Sequence, residues 1–156
     1  MSSIQIIRTD SSNTDFQNLI KKLDIYLAEK DGDDAPFFAA LNTVDTIQHV
    51  LVAYVNDTAV GCGAIKKYDE NTIEIKRMFV DVTARNKGVA SGILNELQLW
   101  AKELNFTSCI LETGKKMTEA INLYKKEGFS IISNYGPYVN VTESTCFQKN
   151  IKKNNY

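Results

Sequence analysis

Cysteine, histidine and proline are scarce in this sequence. Its 156 residues include three cysteines, one histidine and two prolines. Cys62, Cys109 and Cys146 are far apart and form no Cys-x-x-Cys pair, so we predict reduced thiols rather than a disulfide framework. His49 is not adjacent to any of these cysteines. The sequence therefore predicts no Cys/His zinc site.

The sequence also lacks long apolar runs and an excess of positive charge. No apolar run approaches the roughly 18 residues of a membrane helix, and the N-terminal segment has no basic stretch followed by an apolar core. Eighteen lysines and arginines against nineteen aspartates and glutamates give a net charge of −1. Nucleic-acid binders usually carry a basic surplus that neutralises phosphates. We therefore expect a cytoplasmic protein with neither a membrane nor a nucleic acid as partner.

The residues that are present are typical of one globular domain. Hydrophobic residues make up 44% of the chain and charged residues 24%, which is close to the average for soluble domains. A chain of this length corresponds to about one domain. We predict a single domain over residues 1–156, in which residues 152–156 form a polar tail.

The spacing of apolar residues predicts an α/β chain. Strands are predicted over residues 4–8, 50–55, 60–68, 73–82, 108–113, 130–135 and 144–151, and helices over residues 15–30, 87–104 and 118–127, with a further helical turn at 37–41. Short turns join the second, third and fourth strands, so these three strands are expected to form an antiparallel meander. The helix that begins near Lys87 has apolar residues at helical spacing from Val89 to Leu104, which indicates one buried face.

The segment between the fourth strand and the next helix is the most informative. It reads Met78-Phe79-Val80-Asp81-Val82-Thr83-Ala84-Arg85-Asn86-Lys87-Gly88-Val89-Ala90-Ser91. Free N–H groups at a helix N-terminus bind phosphate oxygens, and the helix dipole favours their negative charge. Gly88 and Ala90 leave room for an anion near the backbone, and Arg85 and Lys87 add positive charge. The alternative is an ordinary helix start with solvated surface charges.

Two motifs resemble those of the GNAT family of N-acetyltransferases. Arg85-x-x-Gly88-x-Ala90 fits the family pattern R/Q-x-x-G-x-G/A. Ala120-x-x-Leu123-Tyr124-x-x-x-Gly128-Phe129 fits the pattern A-x-x-L-Y-x-x-x-G-F. The order of the predicted elements is similar as well, so the resemblance covers nearly the whole chain.

The resemblance implies a fold and a co-substrate. The fold is a mixed, mostly antiparallel central sheet with flanking helices, in which the central strand pair splays apart. The co-substrate is acetyl-CoA, and no metal is required. The implied contacts are Met78, Phe79 and Val80 for the pantetheine arm, and Arg85, Asn86, Lys87, Gly88, Val89, Ala90 and Ser91 for the pyrophosphate. Met117 stands where many members have asparagine, which puts a side-chain contact there in doubt.

The resemblance also implies two catalytic residues. Tyr124 matches the tyrosine that family members use as the general acid toward the departing CoA thiolate. Glu74 matches a position at which several members have a general-base glutamate. A phenol is able to protonate a thiolate, and a partly buried carboxylate has a raised pKa suited to accept an amine proton. The alternatives are an aromatic core residue at Tyr124 and a strand glutamate at Glu74 that pairs with Lys76, Arg77 or Lys66 or faces water.

The implied reaction is direct transfer of an acetyl group from acetyl-CoA to a primary amine. The expected acceptor is a small-molecule or peptide amine, and a homodimer is left open. A non-catalytic acyl-CoA-binding module on the same fold is the alternative. Tyr135 and Tyr138 flank a Gly-Pro turn. They either line the acceptor pocket or are ordinary turn aromatics.

Overall fold

The computed structural model describes residues 3–32 and 46–151. The predicted helical turn at 37–41 and the predicted tail at 152–156 lie outside the described residues. The strands are β1 (Ile4–Thr9), β2 (His49–Val55), β3 (Thr58–Lys67), β4 (Thr72–Val80), β5 (Ser108–Gly114), β6 (Ser130–Ile132) and β7 (Ser144–Asn150). The α-helices of the described ranges are α1 (Thr14–Asp31), α2 (Val89–Glu103) and α3 (Thr118–Lys126). None of these helices is long and apolar enough to cross a membrane.

The strands form one seven-stranded sheet. Their order is β1-β2-β3-β4-β5-β7-β6. All neighbouring pairs are antiparallel except β4 and β5, which are parallel. The predicted meander of β2, β3 and β4 is confirmed, and so is the predicted mixed, mostly antiparallel architecture.

The parallel pair β4 and β5 is hydrogen-bonded over only a short stretch. Residues 72–74 of β4 pair with residues 108–110 of β5. However, β4 continues to Val80 and β5 to Gly114. The two strands therefore diverge after Glu74, and from there the β5-facing edge of β4 has no strand partner in the described part of the chain. The predicted splay of the central strands is confirmed.

A β-bulge lies on the diverging part of β4. Cys62 of β3 pairs with Phe79, but Ala64 pairs with Lys76, so β4 has one residue more than β3 between these pairs. Arg77 in the bulge has a φ of +58°, which is uncommon for a residue with a side chain. The extra residue reverses the alternation of side chains along the strand. Phe79 consequently faces the same side of the sheet as Glu74.

Both faces of the sheet are covered by helices. On one face, Ile93 and Leu97 of α2 pack with Leu111 and Phe147 of the sheet. On the other face, α1 packs against the sheet through a cluster that includes Phe16, Leu19, Val52, Cys62 and Phe79. All three cysteines are buried and none forms a disulfide.

Most element boundaries differ from the predicted ones by one or two residues, and three of the differences have a clear local reason. β4 ends at Val80 rather than at residue 82, because the carboxylate of Asp81 accepts the N–H of Thr83 at 3.1 Å and begins a 3-10 turn. β6 ends at Ile132 rather than at residue 135, since the chain then turns into a second 3-10 turn, Gly136–Tyr138. α2 begins at Val89 rather than at Lys87, because Gly88 has a left-handed conformation with a φ of +81°.

Gly63 of β3 lies where the sheet leaves no room for a side chain. A Cβ atom there would lie 2.7 Å from Met78 Sδ and 2.8 Å from Ile93 Cγ2. We expect Gly63→Ala to lower the free energy of unfolding by about 1–3 kcal/mol, because overpacking forces its neighbours to move. Urea denaturation measures this change.

Gly92→Ala is the matched control. The added Cβ would lie 3.3 Å from the flexible end of Ile6, and alanine is a better helix former than glycine. This variant should be as stable as the wild type or more stable. Equal unfolding free energies for the two variants would contradict the close packing of β3 on α2.

Candidate active site

The divergence of β4 and β5 opens a cavity of about 570 Å³. It is bounded by both diverging strands, the first turn of α2, α3 and one face of α1. The predicted site residues that line it are Glu74, Met78, Phe79, Val80, Arg85, Asn86, Gly88, Val89, Ala90, Ser91 and Tyr124. Lys87 is exposed and is not among the lining residues. The structure thus brings together all of the predicted site residues except Lys87.

One end of the cavity is the N-terminus of α2. Gly88 is the N-cap residue, and within the described ranges no side chain caps the helix. The N–H groups of a first helical turn have no carbonyl partner inside their own helix. Because these groups and the helix dipole both favour negative charge, this end of the cavity is suited to hold a phosphate group.

Arg85 ties the loop before α2 to three other elements. Its Nε donates to the carbonyl oxygen of Val80 at 3.1 Å. Its guanidinium lies 3.6 Å from the Glu119 carboxylate of α3 and 5.2 Å from the ring centroid of Tyr26 in α1. The positive charge therefore lies near the N-terminus of α2, and the hydrogen bond of Arg85 fixes the end of β4.

Two further contacts fix the ends of this loop. The Asp81 carboxylate is 2.9 Å from Lys22 Nζ of α1. This contact and the Thr83 N–H lower the pKa of Asp81 to about 2. At the other end, Ser91 Oγ donates to Glu127 Oε1 at 2.7 Å. The loop and the first turn of α2 are therefore anchored to α1 and to the chain that follows α3.

Tyr124 of α3 presents its hydroxyl group to the cavity. The residue is 6% exposed, and its ring packs against Phe129 and Phe147 at centroid distances of 5.9 and 5.7 Å. Within the described residues its hydroxyl has no hydrogen-bond partner. Every unpaired side-chain oxygen or nitrogen among these residues is accessible to solvent, and so is this hydroxyl. The hydroxyl therefore opens into the cavity. Burial, followed by the charge of Glu112, raises the pKa of Tyr124.

Glu74 lies at the point where β4 and β5 separate. Its Oε2 accepts the hydroxyl of Tyr135 at 2.6 Å, and its Oε1 is 3.7 Å from Lys76 Nζ. Its side chain is 15% exposed. The expected alternative of a pair with Lys76 is thus partly realised, but at a distance that is too long for a hydrogen bond.

Comparison with known proteins identifies the family. The sequence profile of the acetyltransferase (GNAT) family matches residues 13–129. The chain belongs to the GNAT acetyltransferase family. Over 140 residues it is 33% identical to an IAA acetyltransferase from Azospirillum brasilense, a match that covers 88% of this chain and 92% of that protein.

Solved GNAT structures share the fold. A protein named as an acyl-CoA N-acyltransferase from Klebsiella pneumoniae superposes with a TM-score of 0.79 at 26% identity, over 97% of this chain and 99% of that one. A GNAT family acetyltransferase from Elizabethkingia anophelis, solved with acetyl-CoA bound, superposes with a TM-score of 0.67 at 21% identity, over 94% and 97% of the two chains. The predicted family membership is therefore confirmed.

Glu112 is a cavity residue of this GNAT domain that the sequence did not assign to the site. It lines the cavity from β5 and accepts the hydroxyl of Ser144 at 2.6 Å. Ile110 pairs with Glu74, and residues two apart in a strand share a face. The two carboxylates therefore project from the same side of the sheet across the split. Its position as the one charged residue of β5, directly after the apolar run of residues 109–111, was the signal that could have identified it.

The two tyrosines of the Gly-Pro turn have different positions in the GNAT domain. Tyr138 lines the cavity and is 4% exposed. Tyr135 is not among the lining residues, but its hydroxyl is bonded to Glu74. The turn therefore contacts the site through both side chains.

Proposed function

We propose that this GNAT domain transfers an acetyl group from acetyl-CoA to a primary amine, by direct attack of the amine on the thioester carbonyl. The supporting observation is that one cavity is lined by a strand edge that has lost its partner, a helix N-terminus, a carboxylate and a buried phenol. A thioester is already activated, so correct placement of the amine and the carbonyl supplies much of the rate enhancement.

The donor is assigned to the split between the strands and the start of α2. On the open edge of β4, backbone groups of residues 78–80 are available to hydrogen-bond the pantetheine amides, and the Val80 carbonyl, which already accepts from Arg85, has a second lone pair. The N–H groups of residues 88–91 are available to the pyrophosphate, with Arg85 beside them. The Elizabethkingia anophelis protein with the same fold holds acetyl-CoA, which supports this choice of donor.

Tyr124 is proposed as the general acid for the CoA thiolate. Burial and the Glu112 charge raise its pKa, so the phenol stays protonated at neutral pH. A protonated phenol donates to the sulfur as negative charge develops on it. The open hydroxyl of Tyr124 is in the cavity where this proton is needed.

Glu74 is proposed as the general base for the attacking amine, directly or through a water molecule. One carboxylate oxygen is bonded to Tyr135, and the other has only Lys76 at 3.7 Å. That second oxygen has room for a hydrogen bond to the substrate amine. A non-catalytic acyl-CoA-binding module would use the donor end alone and would not depend on Glu74 or Tyr124.

The donor end is tested by Ala90→Glu. A carboxylate in the first turn favours a helix by about 0.3–1 kcal/mol, so the fold should be kept, but it opposes a bound phosphate. Acetyl-CoA at 100 times its Kd stabilises a protein by about 2.7 kcal/mol. We therefore expect the wild-type Tm to rise by roughly 5–10 °C and the variant Tm to change little.

Asn95→Glu is the control for Ala90→Glu, because it adds the same charge on the exposed face of α2. It should retain the acetyl-CoA shift, while NAD and ATP should shift neither protein. An undiminished acetyl-CoA shift in Ala90→Glu would contradict the assignment of the pyrophosphate to this helix start.

The catalytic assignments are tested by Tyr124→Phe and Glu74→Gln. General acid–base groups contribute about 10²–10⁴-fold, so each variant should lose at least tenfold in kcat while its acetyl-CoA shift is kept. Release of the CoA thiol measures turnover over a set of primary amines. Tyr124→Phe should fold normally, because its hydroxyl has no partner in the described residues.

Tyr54→Phe and Glu112→Gln complete this experiment. Tyr54 bonds Asp15 at 2.6 Å and does not line the cavity, so its variant should keep full turnover. A larger loss of kcat in Glu112→Gln than in Glu74→Gln would assign the general base to Glu112 of β5 instead of Glu74 of β4. Full turnover in both Tyr124→Phe and Glu74→Gln would overturn the two assignments, and binding without turnover in the wild type would favour the non-catalytic module.

A further inference from the structure

Tyr138 is a second buried tyrosine whose hydroxyl opens into the cavity. It is 4% exposed and lines the cavity. Among the residues that the structure describes, its hydroxyl has no hydrogen-bond partner and is not sealed from solvent. A hydroxyl that lacks a protein partner and opens into a cavity is available to donate or accept a hydrogen bond from a bound molecule.

The segment around Tyr138 is firmly held. The N–H of Tyr138 donates to the carbonyl of Tyr135 at 2.9 Å. Asn134 Nδ2 donates to the carbonyls of Val141 at 2.9 Å and Ser144 at 3.3 Å. The rings of Tyr135 and Tyr138 meet edge to face at 5.7 Å. A hydroxyl on such a fixed element is preorganised for recognition, because little conformational freedom is lost when it binds.

The same segment reaches the proposed base. Tyr135 donates to Glu74 at 2.6 Å, and its ring contacts the ring of Tyr138, so one turn contacts the proposed base and carries Tyr138. Glu74 and Tyr138 line the same cavity. A short acceptor is able to contact both groups at once.

Charge at this end of the cavity favours a neutral group near Tyr138. Glu74 and Glu112 lie on the two walls, and burial together with these carboxylates raises the pKa of Tyr138. The two cations of β4 that line the cavity, Lys76 and Arg77, already have acidic partners. Lys76 is near Glu74, and Arg77 is paired with Asp24. A carboxylate on the acceptor would therefore meet like charge, whereas a hydroxyl or an amide would not.

We propose that Tyr138 selects the acceptor by hydrogen-bonding a neutral hydroxyl or amide group close to the reacting amine. The inference rests on the proposed acetyl transfer. A site that hydrogen-bonds a substrate group rejects analogues that lack the group, because its own buried group is then left unpaired. The acceptor class is accordingly short amino alcohols and amino amides, in preference to alkylamines and amino acids.

The test compares matched acceptors with the wild type and Tyr138→Phe at saturating acetyl-CoA. The pairs are 2-aminoethanol with propylamine and glycinamide with isobutylamine, and glycine replaces glycinamide in a third comparison. With kcat/KM calculated on the concentration of unprotonated amine, so that differences in amine basicity cancel, we expect the wild-type value to be at least tenfold higher for the polar member of each pair and for glycinamide over glycine. In Tyr138→Phe the ratio within each matched pair should approach one.

Tyr54→Phe serves as the tyrosine control and should keep the wild-type ratios. A wild type without an acetyl-CoA-dependent Tm shift would refute the proposed function itself. With that shift present, equal kcat/KM within the wild-type pairs, or no turnover of any of these amines, would overturn the role of Tyr138. If Tyr138→Phe keeps the acetyl-CoA-dependent Tm shift and also the wild-type kcat/KM ratios, the role of Tyr138 is overturned as well. If Tyr138→Phe does not fold, the kcat/KM ratios of the wild type decide the question.

Discussion

β4 and β5 remain hydrogen-bonded for residues 72–74 and 108–110 and then separate. Backbone N–H and C=O groups require partners, so a strand edge that loses its neighbour in the middle of a sheet is a place for a ligand to bind. The bulge at Arg77 lies on this stretch and turns Phe79 toward α1, which leaves Met78 and Val80 on the α2 side. The cavity, and with it the placement of Glu74, Glu112 and the start of α2 around one space, depends on this separation.

The two ends of the cavity differ in the charge that they favour. The start of α2, with Arg85 beside it, favours an anion, while Glu74 and Glu112 make the other end favourable for a cationic amine. A strand rises about 3.3 Å per residue, so Glu74 and the loop after Val80 are roughly 20 Å apart along β4. This separation allows a long donor to extend along the strand edge with its reactive end toward Glu74 and Tyr124.

Much of this arrangement could be predicted from the sequence, because it depends on local chemistry. Gly88 in a left-handed conformation and the small residue Ala90 leave room beside the helix start, and the two family motifs predicted that Gly88 and Tyr124 belong to one site, where both line the cavity. The bulge at Arg77 and the position of Glu112 could not be predicted in the same way. The bulge follows from the pairing of β4 with β3, and the position of Glu112 follows from the pairing of β4 with β5. The bond from Tyr135 to Glu74 joins residues 61 apart in sequence. The roles of these side chains stay predictions.

Hydrogen–deuterium exchange with and without acetyl-CoA tests the central claim most directly, because it reports on backbone N–H groups one segment at a time. If the donor lies in the split, acetyl-CoA should slow exchange in residues 78–80 of β4 and residues 88–91 of α2. The paired part of β4 at residues 72–74 and the distant strand β1 should be little affected. Protection that appears elsewhere in the chain while residues 78–80 and 88–91 exchange as before would contradict the account.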